Sequence, residues 1–230
     1  MRSLSVALIA LISCAVFVSA DVSSDEASRL NAAATTVREL RTTPDKGIPE
    51  DLFKRTDCVA VIPGLKKAAF LVGGEYGKGV VSCRNGQTWS PPAFLEMEKG
   101  SAGLQIGAEA IDLVLLVMNR SGLDKLMGDK MTLGADASVA AGPVGRDAAA
   151  GTDIKLSAQI LAYSRSKGAF AGIDVSGGSL RPDKKANANA YGSEVTAREV
   201  LNAQKVKAPS AAAAFLRALG TDVRGTSGRE

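Results

Sequence analysis

Between residues 58 and 180 the chain advances in short apolar runs, each cut off by a turn-forming pair of residues. No other feature restricts the fold as much. Strands are predicted over residues 58–62, 68–76, 80–84, 94–98, 104–108, 111–118, 132–141, 156–163 and 169–180, with one short helix over 122–127. Pro63-Gly64, Gly77-Lys78-Gly79, Asn85-Gly86, Pro91-Pro92 and the segment 165–168 separate the strands as turns or corners. Asn85-Gly86 is a strong hairpin signal. Short connections without long intervening helices imply antiparallel pairing, and so many strands favour a curled, barrel- or sandwich-like sheet.

The stretch 133–146 is the centre of this pattern. Leu133, Ala135, Ala137, Val139 and Ala141 alternate with Gly134, Asp136, Ser138 and Ala140. That period predicts one strand with a buried face of small side chains, ended at Gly142-Pro143 because Pro143 has no N–H to give. Glycines inside the predicted strands, among them Gly73, Gly107, Gly134 and Gly172, permit the bends that a closing sheet requires.

Helices flank the strands. Ser23 and Glu26 fit a capping box opening a helix to Thr42, with Ala27, Leu30, Ala34, Val37 and Leu40 on its apolar face. Pro49 opens a short helix, 50–55, that turns Leu52 and Phe53 inward. At the other end helices are predicted over 184–190, from the capping box Thr196/Glu199 to about 205, and over 211–219 with Gly220 as the stop. The fold class is therefore α+β: a curled antiparallel sheet flanked by N-terminal and C-terminal helices.

Residues 1–20 read as an export signal, with Arg2, an apolar run from Leu4 to Val18, and small residues before a cleavage point after Ala20. The competing reading is a bacterial lipobox, Leu11-Ile12-Ser13-Cys14, that would lipidate Cys14. Residues 21–222 form one domain and 223–230 a disordered tail. The expected location is periplasmic or extracellular, with membrane association. Loss of Arg2 lowers the formal charge from +4 to +3, too little for a nucleic-acid binder. Export leaves Cys58 and Cys83 as the last two cysteines. In an oxidising compartment such a pair is expected to bond, the competing reading being two buried thiols.

The chain has no histidine. Ser-His-Asp and Cys-His catalysis and His-ligated zinc are thereby excluded. Cys58 and Cys83 lack the spacing of a thiolate metal site. Gly73-Gly74-Glu75-Tyr76-Gly77-Lys78-Gly79 imitates a phosphate loop, but Gly79 stands where a magnesium-holding Ser or Thr is needed. Glu109, Asp112, Asp136, Asp147 and Asp153 are candidate acids without the spacing of a catalytic pair, and Asp136 is read as solvated or bonded to nearby backbone. Asn119-Arg120-Ser121 is a glycosylation acceptor sequence. No metal or cofactor is implied.

An ordered set of motifs carries a family resemblance: Ala69-Phe70-Leu71-Val72-Gly73-Gly74, Trp89-Ser90-Pro91-Pro92-Ala93, Gly107-Ala108-Glu109 with Asp112, the stretch 133–146, Tyr163-Ser164, Lys167-Gly168-Ala169-Phe170-Ala171-Gly172 and Ala190-Tyr191-Gly192. From about Arg29 to Leu219 the chain resembles the SYLF domain family, as an exported, bacterial-type member. The resemblance implies a non-enzymatic module that binds anionic phospholipid or phosphoinositide-type headgroups at a membrane surface. The basic residues that would serve it are Lys66, Lys67, Arg146, Arg165, Lys167, Arg181, Lys184 and Lys185, read as lying in or beside turns. Actin binding, as in yeast relatives, is the alternative and an uncharacterised enzyme the third reading. Actin is ranked as an unlikely partner because an exported protein rarely meets it.

Overall fold

The computed structural model describes residues 22–42, 48–69, 72–102, 107–119, 128–143, 158–166, 169–202 and 206–220. Residues 1–20 with Cys14, residues 122–127 read above as a short helix, Asp147, Asp153, Arg146, Lys167 and residues 223–230 lie outside the described residues. Helix α1 is Ser24–Thr42 and α2 is Glu50–Arg55. Ten strands follow: β1 Cys58–Ala69, β2 Val72–Asn85, β3 Thr88–Trp89, β4 Ala93–Ala102, β5 Gly107–Val117, β6 Met131–Thr132, β7 Val139–Ala141, β8 Ile160–Ser166, β9 Ala169–Gly172 and β10 Ser179–Pro182. Helices α3 Lys184–Tyr191, α4 Ala197–Leu201 and α5 Ala213–Leu219, the last preceded by a 3-10 turn at Ser210–Ala212, complete the described elements.

The sheet order is β6-β10-β4-β2-β1-β5-β8-β7, with β3 beside β2 and β9 beside β8. Every described pair is antiparallel except β7 with β8, which is parallel. The connection from β9 to β10 shows why the sheet curls. The two strands lie six interstrand steps apart, about 29 Å in a flat sheet. Seven residue steps from Gly172 to Ser179 reach about 25 Å at most. A flat sheet would therefore put β10 out of reach of that segment, and Val175 is fully buried on the way.

The bend gives the sheet two packed faces. Helices α1, α2, α3 and α5 cover the convex face, where Leu30, Val37, Leu40, Phe53, Phe215 and Leu219 meet Val59, Val61, Val80, Phe94, Val114 and Leu116. The concave face is filled by its own side chains, Ile62, Leu65, Met97, Leu113, Leu115, Met131, Leu133 and Leu180, and closed by Val200 and Leu201 of α4. Cys58 and Cys83, direct register partners on β1 and β2, form a disulfide in this core. In the chain-entropy model it stabilises by roughly 3 kcal/mol.

Several predicted boundaries move for identifiable reasons. Pro63-Gly64 does not end β1; it makes a bulge, with Gly64 at φ +59°, and the strand continues through Lys66 and Lys67. Gly77-Lys78-Gly79 is not a turn but the middle of β2. Residues 169–180 are two strands, separated by a turn with Gly177 at φ +80°. The stretch 133–141 is not one strand either. Gly134 takes φ +87°, Asp136 accepts a hydrogen bond from the Thr132 N–H at 2.7 Å, and the chain doubles back so that Leu133 bridges Ala137.

Ala137 is accordingly buried while Ala135, expected on the same face, points to solvent. Ala137→Leu is expected to cost about 1–3 kcal/mol by overpacking. Ala135→Leu should stay within about 0.5 kcal/mol of the parent. Thermal melts of the two variants check the placement; equal losses would contradict it.

Candidate binding surface

The described basic residues stand mainly on strands and a helix end, because β1 runs on past its bulge. Lys66 and Lys67 are on β1, Arg165 on β8, Arg181 on β10, and Lys184 and Lys185 open α3. The structure brings most of them to carboxylates. Lys67 Nζ is 3.6 Å from Glu75 Oε1. Arg165 pairs with Asp112 at 2.9 Å and with Glu39. Arg181 reaches Glu96 at 2.6 Å and Glu98 at 2.7 Å, which holds its guanidinium pKa above the ordinary value. Lys184 lies 3.6 Å from Asp129 with both side chains in water. Lys66 and Lys185 are exposed.

Strand register gathers Lys66 and Arg181 onto one outer face. On it Lys66 pairs across to Tyr76 and Tyr76 to Glu98, while Lys78 pairs to Glu96 and Glu96 to Arg181. The predicted alternation of β4 accounts for the acids: Leu95 and Met97 go to the concave core, leaving Glu96 and Glu98 outside. Tyr76 is 43% exposed, and its hydroxyl donates to Glu96 Oε2 at 3.3 Å. A cleft of about 540 Å³ runs between this face and the first half of α1, lined by Asp25, Arg29, Lys66, Tyr76 and Lys78.

Asp183 ties the cleft to the core. Its carboxylate is buried; Oδ2 accepts from Lys78 Nζ at 2.9 Å and Arg29 Nη1 at 3.1 Å, and Oδ1 from the Ala186 N–H at 3.2 Å as the cap of α3. Burial by itself raises the pKa of such a group, but these donors outweigh it and hold Asp183 below the usual carboxylate range. The Lys78 ammonium is correspondingly raised, chiefly by its hydrogen bond to Asp183. Arg29 also lies 5.3 Å over the Phe94 ring. The charge partners that join Arg29 and Lys78 to Asp183, and Tyr76 to Glu96, are distant in the chain and carry no local sequence signal.

The candidate acids have structural partners. Asp112 accepts from the Gly64 N–H at 2.9 Å, from Thr36 at 3.2 Å and from Arg165, joining the β1 bulge, α1 and β8. Glu109 accepts from Ser166 at 2.9 Å. Asp136 bonds to nearby backbone, as read from the sequence. Among the described residues no group of three or more His, Cys, Asp or Glu side chains could hold a metal ion. Among them, too, no helix is long and apolar enough to cross a membrane.

Comparison with known proteins places the domain. Residues 98–221 match the model of the family described as Ysc84, Las17-binding protein actin regulator. LAS seventeen-binding protein 3 of Saccharomyces cerevisiae is 36% identical over 179 residues, 76% of this chain and 39% of that protein. SH3 domain-containing YSC84-like protein 1 of Xenopus laevis is 34% identical over 181 residues, 77% of this chain and 53% of that protein. The chain thus spans about two fifths to one half of these relatives. The expectation that actin is an improbable partner is corrected by this family and these names. It rested on residues 1–20, whereas the similarity lies in the folded domain. In sequence the chain belongs to the Ysc84 (SYLF) family of Las17-binding actin-regulator proteins.

Proposed function

We propose that the domain is a docking module of the actin-regulating machinery and that it works without chemistry on its partner. The observation that carries this reading is the match of residues 98–221 to the actin-regulator family. The outer face of β1, β2, β4 and β10 suits a protein partner: it is held rigid by strands, carries the exposed Tyr76, and sets Lys66 and Arg181 around it. Tyrosine and arginine are the residue types that anchor protein interfaces. A narrower reading, adhesion to anionic lipid headgroups, draws support from the exposed Lys66, Lys184 and Lys185, each worth on the order of 1 kcal/mol near an anionic leaflet.

Sedimentation of the protein with actin filaments and, separately, with anionic vesicles compares the two readings. The double variant Lys66→Glu/Tyr76→Ala should melt like the parent and lose about tenfold or more in filament affinity. Unchanged filament binding by that variant would move the interface elsewhere. Binding to vesicles alone would replace the docking reading by the lipid one.

A further inference from the structure

A second surface lies where the C-terminal turns of α1 and α5 pack together. Val37 and Leu40 of α1, with Phe215 and Ala218 of α5, belong to one core, and the residues flanking them form a groove of about 510 Å³. Three arginines line it, Arg38, Arg41 and Arg217, against one acid, Glu50. Arg38 and Arg41 share a helix side because they are three residues apart.

The three guanidinium groups are not equivalent. Arg41 is fixed in the structure: Nη1 donates to the Ala218 carbonyl at 3.0 Å, Nη2 lies 3.5 Å from Glu50 Oε1, and its Cζ sits 5.1 Å over the Phe53 ring. Arg38 is exposed, and among the described residues its side chain makes a single hydrogen bond, 3.0 Å to the Thr35 hydroxyl of its own helix. Arg217 is exposed and has no ion pair among the described residues. Among the described residues the groove therefore holds two forks without a carboxylate partner, on different helices, with an occupied one also lining it.

We infer that this groove binds an extended acidic segment of a partner protein. An arginine fork matches a carboxylate with two parallel hydrogen bonds. Two forks on separate helices suit two carboxylates carried by an extended chain. A compact anion such as phosphate wants convergent donors, and here Arg41 is already engaged by Glu50 and the Ala218 carbonyl. The volume lies within the usual range for ligand clefts.

The test uses no actin, so its outcome is separate from that of the docking reading. A fluorescein-labelled, Asp/Glu-rich peptide is titrated with the full chain, and its anisotropy is followed at low and at physiological salt. Binding that weakens with salt is expected. Arg38→Ala/Arg217→Ala should weaken it about tenfold or more while leaving the melting temperature in place. The peptide with Asn and Gln for its acids should not bind, Lys185→Ala should change nothing, and inorganic phosphate should compete only weakly. Peptide binding that ignores the double variant would overturn the inference. So would efficient displacement by phosphate, or binding of anionic vesicles but not of the peptide.

Discussion

Gly79→Ala is expected to destabilise the domain by about 3 kcal/mol, lowering Tm by about 6–12 °C for a chain of this size. Gly79 sits in the middle of β2 beside the part of β1 that bends into the Pro63-Gly64 bulge. A methyl group there would run into the Val61 carbonyl oxygen and lie 3.0 Å from the Ile62 Cα. Both belong to the backbone of a central strand, so relief requires moving the strand and not merely a side-chain end. Gly74→Ala in the same strand provides the contrast. Its methyl would meet only the Lys99 carbonyl, at the ordinary distance of 3.6 Å, and the variant should stay within about 1 kcal/mol of the parent. Thermal melts decide; a parent-like Gly79→Ala would contradict the close approach of β1 and β2.

Asp183→Ala is expected to cost about 3–5 kcal/mol at neutral pH, because it leaves the nearly buried Arg29 without its counter-charge. The same change removes the acceptor that caps α3. The pH dependence has a definite sign. A carboxyl held below its ordinary pKa contributes stability that is complete above the unfolded value of about 3.9 and is lost as pH falls through the lower folded value. The gap in Tm between parent and variant should therefore be constant through the neutral range and narrow under acid conditions below pH ~4. A gap that widened on acidification would mean that Asp183 is not ionised in the fold. Lys185→Ala, an exposed change on the same helix, should leave Tm in place.

Local signals in the sequence were reliable where the physics is local. Ser23 with Glu26 and Thr196 with Glu199 form the capping boxes that their spacing predicts. Asn85-Gly86 turns between β2 and β3 with Gly86 at φ +63°. Leu52 and Phe53 face inward, and β4 alternates core and solvent. The helices at both ends and the curled sheet between them follow from such signals.

Glycine was the residue whose meaning the sequence left ambiguous. Gly77 and Gly79 look like a turn because glycine permits one, yet they are glycine because the neighbouring strand leaves no space for a side chain. Gly134 looks like a strand residue because the apolar period runs through it, yet its positive φ breaks the strand. Long-range partners were equally hidden. Lys78 finds Asp183 across 105 positions and Arg165 finds Asp112 across 53. A list of basic residues therefore could not separate the paired Arg165 from the exposed Lys66, and it passed over Arg38, Arg41 and Arg217.

Under the proposed function this folded domain engages the actin machinery, and a co-sedimentation titration of the purified protein against increasing actin filament, with the disulfide intact, tests that. The protein is expected to move into the pellet to a saturating level, with a dissociation constant on the order of micromolar. A protein that melts cooperatively, yet stays in the supernatant at every filament concentration, would contradict it.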